Sequence, residues 1–273
     1  MKTILGIAIM VLATSITTVH AQNFQGVATY KSHRKVDLKM EENDENSKLK
    51  EQLQEQLKKQ FQREYTLTFD QNASTYKQNE QLAAPAPANN SGITITVGGG
   101  SDVMYKNIKE KRYTNQTEIF GKLFLIKDSL SPENWELVNE TKNIGVYTCF
   151  KAVKKEDVTS QTLTSDGGIE KVTKEKITTA WYTPQIPINN GPDDFHGLPG
   201  LILEINDGEL TLVCTKIILN PDEKIEIIEP KKGKEVTQKE FEDTLEKKNK
   251  EMMENFNSGR RDDGGAVIMK IGG

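Results

Sequence analysis

The chain has 273 residues, of which 28% are charged, and its formal net charge at pH 7 is −4. This mildly acidic balance argues against a nucleic-acid-binding protein, which would carry a basic stripe, and it is typical of a soluble domain. The length allows one large β domain with helical insertions, or two small domains.

The first 21 residues have the pattern of a secretory signal peptide. Lys2 supplies positive charge, Ile4–Ile16 is an apolar stretch, and Val19 and Ala21 present small residues to a signal peptidase. No later segment reaches the roughly 20 apolar residues that a membrane span requires. We therefore expect export with cleavage before Gln22, and an uncleaved N-terminal anchor is the alternative. No cysteine follows the apolar stretch, so no lipid anchor on a mature N-terminal cysteine is expected.

A strand, a charged helix and a hairpin are predicted next. The segment FQGVATYK predicts a strand at Phe24–Lys31. An inserted helix with a narrow apolar stripe is predicted at about 44–63, because Leu49, Leu53, Leu57 and Phe61 recur every four positions. The period then changes to two in EYTLTFD, and STYKQNE is its predicted hairpin partner.

The middle of the chain predicts a mobile loop followed by many strands. Residues of about 81–102 are rich in Ala, Pro and Gly and offer little to bury. Strand-like segments then follow: VMYKNI, GKLFLIKD, WELV, GVYTCFKAV, EKITTAWYT, LILEI, ELTLVCTKIIL and KIEIIE. No βαβ alternation occurs, so we predict a mainly β (α+β) fold with a curled antiparallel sheet or half-barrel.

The C-terminal region predicts a helix at about 237–257. Thr237 and Glu240 have the spacing of a capping box, and apolar residues follow at helical spacing. The helix either lies on the sheet or docks loosely with most of its surface in water. Residues 258–273 are a tail or an edge strand, so the mature chain is predicted to be one domain over about 22–257.

Asp207-Gly208 between LILEIN and ELTLVC predicts a β-hairpin. A two-residue turn there would place Ile205 opposite Leu210 and Leu203 opposite Leu212, with Leu201 opposite Cys214. All six side chains would then lie on one face.

The segment GPDDFHGLPG precedes that hairpin and raises the choice between a ligand cradle and a structural loop. Pro192 and Pro199 restrict the backbone, and the glycines around them permit turns. A phosphate cradle would need glycines followed by Lys and a helix start, whereas a strand follows here. The segment is therefore predicted to direct the chain into the hairpin.

The same segment resembles a known family. GLPGLI at Gly197–Ile202 (Gly197, Leu198, Pro199, Gly200, Leu201 and Ile202) is the signature of the GLPGLI family of exported proteins from certain Gram-negative bacteria. The resemblance extends over Ala180–Ile205 and to YTCFKA at Tyr147–Ala152. It implies an exported, strand-rich protein similar to the curled sheets of periplasmic lipoprotein carriers, and no particular activity. Gln185 stands where the family commonly has an acidic residue, which weakens a charged site there.

Candidate ligand or partner residues cluster at this motif: Trp181, Tyr182, Pro192, Asp194, Phe195 and His196. The aromatic side chains would either plug the sheet or line an apolar site. His196 lies beside two aspartates, but a transition-metal site usually needs three or four ligands. We predict a loop histidine bonded to backbone or solvent, with no catalytic residues, metal or cofactor.

Cys149 and Cys214 lie in strand-like segments and allow two interpretations. They could pair as a disulfide in an oxidising compartment, or remain separately buried thiols. The short pattern Asp-Ser/Thr-apolar also occurs at Ser129 and Thr244. Exported proteins of similar bacteria are glycosylated at such sites.

The expected function is that of an exported, non-enzymatic protein that binds an apolar, lipid-like ligand or an envelope partner. The alternatives are a docking module of an outer-membrane transport complex and, third, a hydrolase-type enzyme. An open apolar cavity would favour ligand binding, and a filled core with an exposed apolar patch would favour docking. Polar groups converging on His196 would favour catalysis. The ligand, the partner and the oligomeric state are left open.

Overall fold

A computed structural model describes residues 24–35, 62–80, 102–163 and 169–258, which contain twelve β-strands and one α-helix. The elements are β1 (Gln25–Arg34), β2 (Glu64–Asp70), β3 (Ala73–Gln78), β4 (Val103–Asn107), β5 (Arg112–Ile119), β6 (Lys122–Ser129), β7 (Glu136–Ile144), β8 (Tyr147–Leu163), β9 (Ile169–Thr183), β10 (Leu201–Asn206), β11 (Leu210–Leu219), β12 (Lys234–Val236) and α1 (Gln238–Ser258).

The strands form one open, curled sheet in the order β12-β6-β5-β4-β3-β2-β1-β11-β10-β9-β8-β7. Neighbouring strands are antiparallel except for β12 and β6, which are parallel. The prediction of a mainly β fold with a curled antiparallel sheet is therefore confirmed.

Three clusters of buried side chains hold the sheet and its connections together. The largest joins β1, β2, β3, β8, β10 and β11 to Ile186 and Ile188 of the segment after β9. The second joins β8–β11 to Leu198. The third is small: Phe124 and Ile126 of β6 and Val236 of β12, with Phe241 of α1 against them. The helix therefore rests on the least extensive part of the core.

The predicted hairpin between β10 and β11 forms, but its predicted register is wrong. Ile205 lies opposite Leu212 and Asn206 opposite Thr211, so Leu203 is not the partner of Leu212. The Asp207 carboxylate accepts hydrogen bonds from the backbone N–H groups of the two residues before Thr211 (Glu209 and Leu210). This side chain widens the loop and moves the register by two residues.

The predicted apolar face of six residues is also divided between two core clusters. Leu201, Leu203 and Cys214 belong to the largest cluster, whereas Ile205 and Leu212 belong to the second. The pairing of β10 with β9 shifts between Ile202 and Glu204. Such a bulge interrupts the alternation of side chains along a strand.

Two further differences concern strands near α1. KIEIIE at 224–229, predicted as a strand, is not in a sheet, and the polar strand β5 was not predicted. Glu229 instead accepts hydrogen bonds from Arg112 and from Thr114 Oγ1 of β5 (2.7 and 2.6 Å). The segment is therefore held to the sheet by side chains rather than by a backbone ladder.

Helix α1 begins as the capping box predicts. The Thr237 backbone N–H donates to Glu240 Oε2 (2.8 Å), and the Glu240 N–H donates to Thr237 Oγ1 (3.3 Å). The signal peptide (1–21), the helix of about 44–63, the loop of about 81–102 and the tail of 258–273 lie outside the described residues, apart from residues at their ends. Among the described residues, no helix combines the length and apolar character that crossing a membrane requires.

Candidate functional site

The loop Asn190–Gly200, called the Gly/Pro loop below, is held from beneath by a buried lysine. Lys106 of β4 is fully buried. Its Nζ donates to the backbone carbonyls of Gly191 (2.9 Å), Asp193 (2.5 Å) and Phe195 (2.9 Å). A lysine ammonium has three protons, so the loop carbonyls can use all of them.

Burial disfavours the charged form of Lys106. Burial lowers the pKa of Lys106 below its usual range, and the nearby carboxylates of Asp194 and Asp193 oppose this shift. Three backbone carbonyl oxygens take the place of water around Lys106 Nζ. Sequence reasoning missed this residue because a lysine within VMYKNI is indistinguishable from a solvent-exposed strand residue.

Both ring nitrogens of His196 lie within hydrogen-bond distance of backbone carbonyl oxygens. Nδ1 lies 2.9 Å from the carbonyl oxygen of Asp194, and Nε2 lies 3.1 Å from that of Ser131. Trp135 Nε1 donates to the carbonyl oxygen of His196 (2.9 Å). Both nitrogens thus face backbone acceptors, and in this arrangement neither is directed at a metal or a substrate.

Two glycines permit close backbone approach within the Gly/Pro loop. A Cβ at Gly200 would lie 2.2 Å from the carbonyl oxygen of Thr183, and a Cβ at Gly191 would lie 2.8 Å from Ile202 Cβ. Real Cβ contacts are longer than this, so a side chain at either position would displace the loop. These glycines serve backbone packing against neighbouring strands.

A polar cleft of about 660 Å³ opens beside the Gly/Pro loop. Its lining includes the carboxylates of Asp128, Glu133, Asp193, Asp194 and Glu242, together with His196. Glu133 is already paired with Lys154 (2.8 Å), and each side chain is only 14% exposed. Within residues 24–35, 62–80, 102–163 and 169–258, no three His, Cys, Asp or Glu side chains come close enough to hold a metal.

A second cleft, of about 480 Å³, lies between α1 and the end of the β5–β6 hairpin. We call it the apolar groove because its walls are mainly hydrophobic: Ile119, Phe120, Phe124, Phe241 and Leu245. Phe124 and Phe241 pack edge to face with their ring centroids 5.5 Å apart. Three lysines, one glutamate and one threonine complete the lining: Lys122, Lys234, Lys248, Glu251 and Thr244. Small-molecule sites commonly have such a volume and such walls.

The turn between β5 and β6, at the groove, has a strained backbone. Phe120 has φ = 52° and the next residue, Gly121, has φ = 72°. Positive φ at both positions is the signature of a type I′ turn, for which Asn-Gly is preferred. Phe120 is also 41% exposed. A bulky side chain that is held half in water by strained backbone suggests a functional role.

The structure separates the residues that the sequence grouped as a candidate site. Asp194 and His196 line the polar cleft, and Pro192 is buried. Phe195 packs on Trp135 with ring centroids 6.3 Å apart. None of them lines the apolar groove.

Trp181 and Tyr182 are adjacent on β9 and pack into different clusters. Tyr182 belongs to the second core cluster, whereas Trp181 packs against the largest one. Lys142 Nζ lies 4.4 Å from the Trp181 ring centroid, a cation–π contact. The three predicted aromatic residues therefore do not form one surface. The signature residues Leu198, Leu201 and Ile202 are buried core residues, whereas Pro199 is exposed.

Cys149 and Cys214 are free thiols, both buried and both in the largest core cluster. Burial raises the pKa of Cys149 to about 11 and that of Cys214 to about 12. Ser129 is exposed at the end of β6, whereas Thr244 lines the apolar groove and donates to the Glu240 carbonyl oxygen (2.7 Å). Glycosylation at these two residues stays a prediction.

Comparisons with known proteins give little functional information. A family described as "Protein of unknown function (Porph_ging)" matches residues 135–204. A search of curated proteins finds no match. Two solved structures of PNGF-II, in the C2 and P21 space groups, are similar to 81% of this chain at 12% and 13% identity, with TM-scores of 0.47 and 0.46. In each case the similarity spans 32% of the PNGF-II chain.

Proposed function

We propose that this protein is an exported, non-enzymatic protein of the bacterial periplasm or envelope that binds a small apolar ligand in the apolar groove. The observation that carries the proposal is a concave surface of about 480 Å³ walled by Ile119, Phe120, Phe124, Phe241 and Leu245. Apolar surface of this kind gains about 25 cal/mol per Å² when a ligand removes it from water.

The packing of α1 supports a binding role for the groove. The start of the helix is fixed, because Asp128 Oδ2 accepts from the Gln238 N–H (3.1 Å) and Phe241 contacts Phe124. Farther along, Leu245 is half-buried at the groove. A ligand inserted here would complete the contacts between helix and sheet that the described part of the chain leaves partly open.

Export is proposed from the N-terminal sequence and from the resemblance to the GLPGLI family. The Ala180–Ile205 motif lies mostly within the matched residues 135–204. N-terminal sequencing of protein from a periplasmic fraction should begin at Gln22. Recovery of the whole chain in the cytoplasm would contradict this part of the proposal.

Ligand binding can be tested with a neutral fluorescent probe such as N-phenyl-1-naphthylamine, whose emission rises in apolar sites. We expect saturable binding to the full exported chain. Leu245→Gln should weaken the affinity about tenfold, which corresponds to about 1.4 kcal/mol of lost apolar contact.

Leu137→Gln is the matched control. Leu137 is 63% exposed on the edge strand β7 and does not line the groove, so its replacement should leave probe binding unchanged. Saturable binding that both substitutions weaken equally, or no binding by the wild-type protein, would reject the groove as the site.

A second candidate function is docking to an envelope protein, such as a component of an outer-membrane transport complex. It is favoured by the β8–β9 ribbon, which continues from Lys154↔Thr178 to Leu163↔Ile169 beyond the residues that pair with β7 and β10. These ten residue pairs extend roughly 30 Å. Val158 and Ile177 are exposed on the ribbon. Isolated two-stranded ribbons are marginally stable in water, so a partner would stabilise this one.

Shortening the ribbon separates the two candidates. Replacing 157–175 with a two-residue turn should leave probe binding intact if the groove is the functional site. If partner docking is the function, the shortened protein should lose an envelope protein that cross-links to the wild type in cells. A hydrolase-type activity remains the third candidate, and the engagement of His196 and Glu133 with neighbouring groups argues against it.

A further inference from the structure

The polar side chains around the apolar groove are predominantly cationic. Lys122, Lys234 and Lys248, called the lysine rim below, line the groove together with a single carboxylate, Glu251. The protein as a whole has a formal net charge of −4. The groove therefore carries a local charge opposite to that of the chain, and this requires an explanation beyond solubility.

The lysine rim comes from three separate elements. Lys122 follows the Phe120–Gly121 turn at the start of β6, Lys234 begins β12, and Lys248 lies on α1 beyond Leu245. All three side chains line the same cleft, although Lys122 is more than a hundred residues from the other two in the sequence. The tertiary fold alone brings these positive charges together.

The ion pair between Lys248 and Glu251 within this lining is easily exchanged. Lys248 Nζ lies 2.5 Å from Glu251 Oε2, and the two side chains are 45% and 42% exposed. Exposed pairs of this kind contribute little to stability. Lys248 can therefore turn toward an anion in the groove without destabilising the helix.

We propose that the ligand is a monomeric amphiphile with one anionic head group, a carboxylate or a phosphate, and an unbranched apolar chain. This inference rests on the proposed function of the groove. The chain would lie against Phe120, Phe124 and Leu245, and the head would lie among the ammonium groups of the lysine rim. Lysine stems add apolar contact while their charged ends stay in water beside the head group.

The concave shape favours a single molecule over a membrane surface. Proteins that lie on a membrane present an amphipathic face to the lipid, whereas here the apolar residues line the walls of a cleft between a helix and a hairpin. The strained, half-exposed Phe120 at the mouth would close over the chain of a bound ligand.

Isothermal titration calorimetry with three ten-carbon probes tests the head group. Decanoate, 1-decanol and decyltrimethylammonium share one chain length and carry charges of −1, 0 and +1. We expect affinity in the order decanoate, decanol, decyltrimethylammonium, with decanoate about tenfold above decanol at low ionic strength. Raising the salt concentration to 0.5 M should remove most of this difference, because the Debye length falls to a few ångströms.

Substitutions then test whether the lysine rim attracts the anionic head group. Replacing all three rim lysines (K122Q, K234Q and K248Q) should weaken decanoate about tenfold and leave decanol unchanged. The matched control replaces three exposed lysines away from the groove, K31Q, K77Q and K216Q. It alters the net charge equally and should leave the preference for decanoate intact.

The outcomes distinguish the two proposals. If no ten-carbon probe binds, the proposed function itself fails. If all three probes bind with equal affinity, or if the control triple variant lowers decanoate binding as much as the rim variant, the groove stands and the anionic ligand is rejected. Co-sedimentation with vesicles of anionic lipid, without binding of monomeric decanoate, would also overturn the inference.

Discussion

The Gly/Pro loop borders the polar cleft and the apolar groove is a cleft itself, but the side chains of the two regions are used in opposite ways. In and around the loop, Lys106, His196 and Trp135 direct their polar atoms at backbone oxygens of the same chain. In the groove, aromatic and aliphatic side chains remain partly in contact with water, and lysines surround them. The polar groups of the loop are paired with one another and with neighbouring strands, whereas the described residues leave the apolar walls of the groove partly exposed. A conspicuous sequence motif can therefore be structural while the binding surface lies elsewhere.

Replacing the buried lysine should have the largest effect on the loop. Lys106→Met keeps the length of the side chain but leaves the carbonyls of Gly191, Asp193 and Phe195 without their donor. We expect the free energy of unfolding to fall by about 3–5 kcal/mol in chemical denaturation. Lys77→Met, exposed on the neighbouring strand β3, should change it by less than about 0.5 kcal/mol. Equal effects of the two substitutions would contradict a special role for Lys106.

The core beneath the loop should lose stability in alkali through its thiols. Cys149 and Cys214 have folded-state pKa values of about 11 and 12, against about 9 for an exposed thiol. Above about pH 9, the folded protein keeps protons that the unfolded chain releases. The free energy of unfolding therefore has its full value below about pH 9 and decreases as the pH rises toward 11 or 12. Under reducing conditions, each thiol should account for a loss of about 2 kcal/mol at pH 10.5.

A Cys149→Ala, Cys214→Ala variant provides the comparison for that prediction. Denaturation between pH 8 and 10.5 should show a shallower loss of stability in the variant than in the wild type. Parallel curves would mean that the two thiols do not cause the loss of stability and would contradict the prediction.

Trp135→Phe should have a smaller effect on stability, and this effect should be confined to the loop. It removes the donor to the carbonyl oxygen of His196 while keeping an aromatic ring against Phe195. The expected loss is about 1 kcal/mol, with faster amide hydrogen exchange in 190–200. Decanoate affinity should not change, because Trp135 does not line the groove. A decrease in affinity would couple the two regions and weaken the contrast between them.

At the groove, the smallest expected change in stability has the opposite sign. Phe120→Asn converts the strained turn into Asn-Gly, which should stabilise the fold by about 0.5–1 kcal/mol. The same change removes an apolar wall, so ligand affinity should fall about fivefold. Thermal unfolding and calorimetry on the same samples can show this trade-off. A variant that is more stable and binds the ligand equally well would contradict a role for the strained Phe120 turn in binding.

Local patterns predicted most of the sheet. Alternation identifies β1 and β2, because one face of each strand packs into the core. The apolar run LILEI identifies β10, which is buried on both faces. Strand β5 was missed because its buried positions include Thr114 and Thr117, and Thr114 bonds to Glu229. The hairpin register was missed because it depends on the Asp207 side chain. These features are fixed by hydrogen bonds to side chains, which hydropathy does not record.

The candidate sites were less accessible to sequence reasoning. The motif around His196 was identified, but Lys106 comes from a strand about ninety residues earlier. The apolar groove joins Ile119–Phe124 to Phe241–Leu245, and neither segment carries a recognisable motif. Only the pairing of β12 with β6 and the position of α1 on Phe124 bring them together.

Photo-cross-linking with a fatty acid that carries a diazirine on its chain tests the central contrast most directly. After irradiation and proteolysis, mass spectrometry would identify the labelled peptides of the full exported protein. We expect the label on peptides that contain Ile119–Phe124 and Phe241–Leu245, with protection by excess decanoate. Labelling concentrated on Asp193–His196, or spread evenly over the chain and unaffected by decanoate, would contradict the assignment of binding to the groove.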